Sequence, residues 1–91
     1  MNIEKLSSSL KVDIATTKYL LGELGIATLA LVRSGCRNDQ EIMKLSSISE
    51  SCLEVKIPLL NTLGLIEITK GEYHITPRGE AFVDEVSGWE N

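Results

Sequence analysis

Apolar positions along the chain change their period once. Between Ile14 and Leu60 they recur at helical spacings of three and four, and after Gly64 they alternate. The chain opens with Ile3, Leu6 and Leu10 at helical spacing, weakened by Ser7-Ser8-Ser9, which predicts a short helix or arm over residues 1–12. Asp13 can cap the next segment, and the apolar run from Ile14 predicts a first core helical region over 14–34. Gly22 and Gly25 either interrupt this region or mark a close helix contact. From Gly25 to Arg33 it is apolar on nearly every side, as suits a central helix, and Ser34-Gly35 ends it.

A helix-turn-helix is predicted over 38–64. Asn38 can accept from the backbone while Glu41 reaches back to it, and Ile42, Met43 and Leu45 supply a buried face. Ser46-Ser47-Ile48-Ser49 reads as the turn. Ser51 and Glu54 form a second capping pair for a helix whose Leu53, Ile57 and Leu60 face inward. Pro58 lacks the N–H that would bond to Glu54, which predicts a kink or a shortened face. Over 65–76 the alternation predicts a hairpin that turns at Lys70-Gly71-Glu72, with Ile66, Ile68, Tyr73 and Ile75 on its inner face. Thr76 can cap a last helix over 77–88, with Pro77 at its first position and Ala81, Phe82 and Val86 on its apolar side. The whole is mainly α with a small β-hairpin: a three-helix core, a two-stranded hairpin and flanking terminal helices.

The length predicts one domain over 1–91, and no separate effector domain is expected. The segment Met1-Asn2-Ile3-Glu4-Lys5 lacks a secretory layout and Gly25 to Val32 is short for a span, so a cytoplasmic protein with no membrane association is expected. Cys36 and Cys52 match no zinc spacing and are expected as reduced, partly buried thiols. No metal and no cofactor is expected. With one histidine and no glycine-rich phosphate loop, no nucleophile–base arrangement can be assembled, which argues against an enzyme.

Two stretches carry a family resemblance. Leu53, Ile57, Leu60 and Gly64-Leu65-Ile66 resemble the end of a recognition helix and the entry to the wing in the winged helix-turn-helix superfamily. Tyr73-His74-Ile75-Thr76-Pro77-Arg78-Gly79 is similar to the segment that closes the wing in the multiple-antibiotic-resistance and phenolic-acid repressor branches. The resemblance implies a winged helix-turn-helix fold and a DNA-binding transcription regulator. It further implies that the third helix enters the major groove while the second helix and wing hold phosphates. The exposed positions early on the third helix are then Ser51, Cys52, Glu54, Val55 and Pro58.

Among these, Ser51 can bond a base or phosphate, Glu54 can accept from a cytosine amine, and Val55 can meet a thymine methyl group. Each also has a purely structural reading, as cap, core or packing residue. The cations available for phosphates are Arg37, Lys44, Lys56, Lys70 at the wing tip and Arg78, with His74 on the outer face of the second strand as a further donor.

Charge complicates the DNA reading. The chain carries nine basic and thirteen acidic residues for a net charge of -4, and no arginine lies between Gln40 and Leu65. Double-stranded DNA is the first expected partner, with the chain acting as a small dimer whose symmetry doubles the contacts. Ile3, Leu6 and Leu10 at one end and Phe82, Val86 and Trp89 at the other are candidates for the dimer surface. The alternative is a protein-interaction module that docks on transcription machinery or another protein through Val55 and Pro58 of the third helix.

Overall fold

The computed structural model describes residues 14–89, with side chains described as far as residue 87. The expected arm over 1–12, with Ile3, Leu6 and Leu10, lies outside the described residues, as does the Trp89 side chain. Four helices and one hairpin run in the order α1 (Ile14–Arg33), α2 (Asp39–Leu45), α3 (Glu50–Thr62), β1 (Ile66–Thr69), β2 (Glu72–Ile75) and α4 (Pro77–Trp89).

Helix α1 has the length and apolar composition of a membrane span. Its backbone and burial argue otherwise. Gly22 sits at φ 68, ψ 178, a region open essentially to glycine alone, and breaks α1 into two pieces too short to cross a bilayer. Leu21, Leu29 and Val32 of α1 are buried in the core of the domain. Of the two glycine readings, Gly22 takes the interruption, while a Cβ on Gly25 would press on Leu21 Cβ of the same helix at 2.9 Å and meet Lys56 Cδ on α3 at an ordinary contact distance of 3.5 Å. Buried Thr28 satisfies its hydroxyl on the carbonyl of Leu24 at 2.7 Å, so the core helix carries a polar group at no desolvation penalty.

Around α1 pack Ile42 from α2, Leu53, Ile57 and Leu60 from α3, Leu65 and Ile66 at the entry to the hairpin, and Phe82, Val83 and Val86 from α4. Several expected faces shift. Leu45 is 69% exposed at the end of α2, leaving Ile42 as the buried residue of that helix. On α4 Ala81 faces solvent and Val83 takes the inward place beside Phe82 and Val86. Because Phe82 and Val86 belong to the domain's own core, they are not a free surface for a second copy. The α4 face still leaves an open groove of about 460 Å³ against α1, where Ile26, Ala30 and Val83 are joined by Lys18, Glu23 and Ser87.

Caps set the helix boundaries. Asn38 accepts from the Glu41 N–H at 2.9 Å as expected, but the Glu41 carboxylate takes the N–H of Arg37, one residue earlier than expected, at 2.6 Å. The cap of α3 is Ser49, which accepts from the Cys52 N–H at 3.2 Å; Ser51 and Glu54 lie inside the helix and do not cap it. Helix α3 therefore begins earlier than predicted, and it runs through Pro58 to Thr62 without a break. It ends at Gly64 (φ 76), where Gly64 N–H bonds to Asn61 O and Leu65 N–H to Leu60 O, the paired bonds of a Schellman motif.

The hairpin is antiparallel with Ile66 opposite Ile75 and Ile68 opposite Tyr73, so these four share a face as the alternation predicted. Burial fades along it: Ile66 is buried whereas Ile68 is 43% exposed. Thr76 closes the structure by capping α4 through Gly79 N–H at 3.0 Å while donating its hydroxyl to Gly64 O at 2.6 Å. Gly79 is required there, because a Cβ would collide with the carbonyl oxygen of Leu65.

Candidate nucleic-acid interface

Helix α3 turns Leu53, Ile57 and Leu60 inward, which leaves Glu50, Ser51, Glu54, Val55, Pro58, Asn61 and Thr62 on solvent. Val55 is 63% exposed, one of several large apolar side chains on the surface of the described residues. Ser51 shares a hydrogen bond with Ser49 Oγ at 3.2 Å, and Cys52 is half-buried. The helix thus presents an apolar centre, Val55 and Pro58, bordered by the carboxylates of Glu50 and Glu54.

The cations expected to meet phosphate divide into two groups. Lys44, in the last turn of α2, and Lys70, at the hairpin tip, are exposed. The others are turned toward the domain. Lys56 is half-buried with its stem beside Gly25, Arg37 donates through Nη1 to Tyr73 O at 3.3 Å, and Arg78 donates through Nε to Leu63 O at 3.1 Å, at the C-terminal end of α3. Arg33 pairs with Asp84 at 2.7 Å. Every arginine among the described residues is therefore bonded within the chain. His74 stands on the outer face opposite Glu67, with its Nε2 3.8 Å from Glu72 Oε1.

At the hairpin tip, Lys70 (φ 53) and Gly71 (φ 78) both take positive φ, as a two-residue type I′ turn requires. Lys70 is the one non-glycine residue with positive φ among those described. Asparagine or aspartate holds that place with less strain, so the turn geometry alone does not explain a lysine.

Sequence reasoning missed the contact that ties the hairpin to α2. Tyr73 N–H bonds to Arg37 O at 2.9 Å, and the Tyr73 hydroxyl donates to Asp39 Oδ1 at 2.5 Å. Burial, together with that carboxylate, pushes the Tyr73 phenol up to about 12. Burial also pushes up the thiol of Cys36, the Glu41 carboxylate adding to the effect, so this cysteine is a poor nucleophile. Among the described residues no group of three His, Cys, Asp or Glu side chains gathers.

A family model described as winged helix-turn-helix matches the chain over residues 15–91. The chain belongs to the winged helix-turn-helix family. No curated protein and no solved structure matches it significantly. In the terms of this family α3 is the recognition helix and β1–β2 the wing, a DNA-binding architecture. In this winged helix α3 exposes carboxylates and apolar side chains, and the exposed lysines Lys44 and Lys70 stand on α2 and at the hairpin tip.

Proposed function

We propose that the chain is a DNA-binding transcription regulator, cytoplasmic and non-enzymatic, that works as a small dimer. The observation that supports this reading best is Lys70. A lysine held at positive φ on the wing tip is a costly choice for a turn and a useful one for a phosphate. Lys44 is the second phosphate contact, and Ser51, Glu54 and Val55 are the groove-facing residues of α3. The likeness of Tyr73 to Gly79 to the multiple-antibiotic-resistance and phenolic-acid repressor branches adds to the reading without fixing an operator.

A titration against mixed-sequence duplex DNA at two salt concentrations tests it. Binding at low salt that weakens as salt rises is expected, and a Lys44→Glu, Lys70→Glu double variant should lose both affinity and salt slope. No binding at low salt, or a double variant indistinguishable from the parent, removes the DNA reading.

A second reading has its own support. The Val55–Pro58 surface between Glu50 and Glu54, with no free arginine nearby, suits a protein partner better than a phosphate backbone. In that case a partner recovered by the parent chain should be lost with Val55→Arg, while the thermal midpoint stays unchanged. A partner retained by that variant would count against it.

A further inference from the structure

The outer half of the wing has less support than its base: Ile66 is buried, Ile68, two residues nearer the tip, is 43% exposed, and it is half-buried Tyr73 on β2 that still packs against the core. A two-stranded hairpin is marginal without packing or anchoring.

The anchor is Tyr73, opposite Ile68. Its main chain exchanges two bonds with Arg37, through Tyr73 N–H to Arg37 O at 2.9 Å and Arg37 Nη1 to Tyr73 O at 3.3 Å. These fix β2 at one residue. The Tyr73 hydroxyl on Asp39 Oδ1 adds a second tie, at the first residue of α2. A hydroxyl donating to a carboxylate is the stronger, charge-assisted kind of hydrogen bond.

We infer that Tyr73 and Asp39 form a latch that sets the angle of the wing against the helix-turn-helix, and so act as positioning residues for the phosphate contact of Lys70. The inference rests on the DNA reading above. Neither residue needs to touch DNA. Asp39, in the first turn of α2, has its carboxylate engaged by the phenol. Releasing the phenol frees the wing tip and also leaves the carboxylate unpaired.

The test compares Tyr73→Phe, Asp39→Ala and Asp39→Asn with the parent, each alone and in a Lys70→Ala background, by duplex DNA titration over a range of salt. Urea midpoints check the fold, and amide exchange at Lys70 and Gly71 reports on the wing tip. Tyr73→Phe and Asp39→Ala are expected to bind about fivefold more weakly, the size of an ordinary pairwise coupling. Their salt slope should fall by about one phosphate, and amide exchange at the tip should quicken. Asp39→Asn, which keeps an acceptor oxygen, should bind nearly as the parent does. In the Lys70→Ala background Tyr73→Phe should cost little more, because the contact it positions is gone.

Parent-like binding by both Tyr73→Phe and Asp39→Ala, or losses that add in full to that of Lys70→Ala, would overturn the latch while leaving the DNA reading intact. A parent that fails to bind at low salt would remove the DNA reading and the positioning role with it. Should Asp39→Ala fail to fold, Tyr73→Phe, which removes a single oxygen, decides between the same outcomes.

Discussion

Lys70 separates stability from function at the scale of one residue. A non-glycine residue in the left-handed region costs roughly 1 kcal/mol, and asparagine relieves much of that cost in a two-residue turn. Lys70→Asn is thus expected to raise the thermal midpoint by a few degrees while weakening duplex binding and lowering its salt slope. Calorimetry and a salt titration on one preparation read both. A variant that gains stability without losing affinity would show that the lysine is a solubilising tip. Tyr73 gives a pH prediction of definite sign. Its neutral form is favoured in the fold, with the phenol raised from 10.0 to about 12, so its contribution is fully present below pH 10 and is lost as pH rises toward about 12. The urea midpoint should decline across that window in the parent and flatten in Tyr73→Phe. An equal decline in both would mean that other groups govern alkaline unfolding.

At the scale of elements, helix α1 depends on one backbone conformation. A Cβ on Gly22 would meet nothing within 4 Å, so Gly22→Ala carries no clash, and its whole effect comes from φ 68, ψ 178. A loss of about 1–3 kcal/mol in urea unfolding is expected. An unchanged midpoint would show that the kink can straighten without disturbing the core. The elements themselves were legible in the sequence, because a switch from helical to alternating apolar spacing at Gly64 leaves little choice of order. Helix starts were legible where a second signal marked the cap, as with Glu41 three residues after Asn38 and Pro77 directly after Thr76. They were not where Ser46, Ser47, Ser49 and Ser51 all offer a hydroxyl, and Ser51 with Glu54 imitates a capping box that the turn after α2 then displaces. Pro58 ends no helix: the carbonyl it leaves unbonded belongs to Glu54, on the exposed side of α3, where water can satisfy it. The arginines were the least legible. Arg78 finds Leu63 at a separation of 15 residues and Arg37 finds Tyr73 at 36, and no local pattern announces partners so distant.

For the whole molecule, the folding of the arginines onto the chain makes symmetry a requirement of the DNA reading. Lys44 and Lys70 are the exposed cations of the helix-turn-helix and wing, on a chain of net charge -4. At about -0.9 per phosphate, two contacts give a salt slope near -2, which leaves a single domain with little affinity at physiological ionic strength. A dimer on adjacent half-sites doubles the slope to about -4 and makes the second contact effectively intramolecular. Light scattering across a concentration range should therefore show a dimer under the conditions in which the steeper slope is measured. The second copy has apolar surface available: Tyr19, Leu20 and Leu24 are exposed on α1, Tyr19 by 86%. A monomer that nevertheless binds duplex with a slope near -4 would place further phosphate contacts on side chains now turned inward, with Lys56 the first to examine because its stem lies across Gly25 while its ammonium can swing to solvent. A monomer with a slope near -2 and weak affinity would instead move the weight to the Val55–Pro58 surface, where neither positive charge nor a second copy is needed.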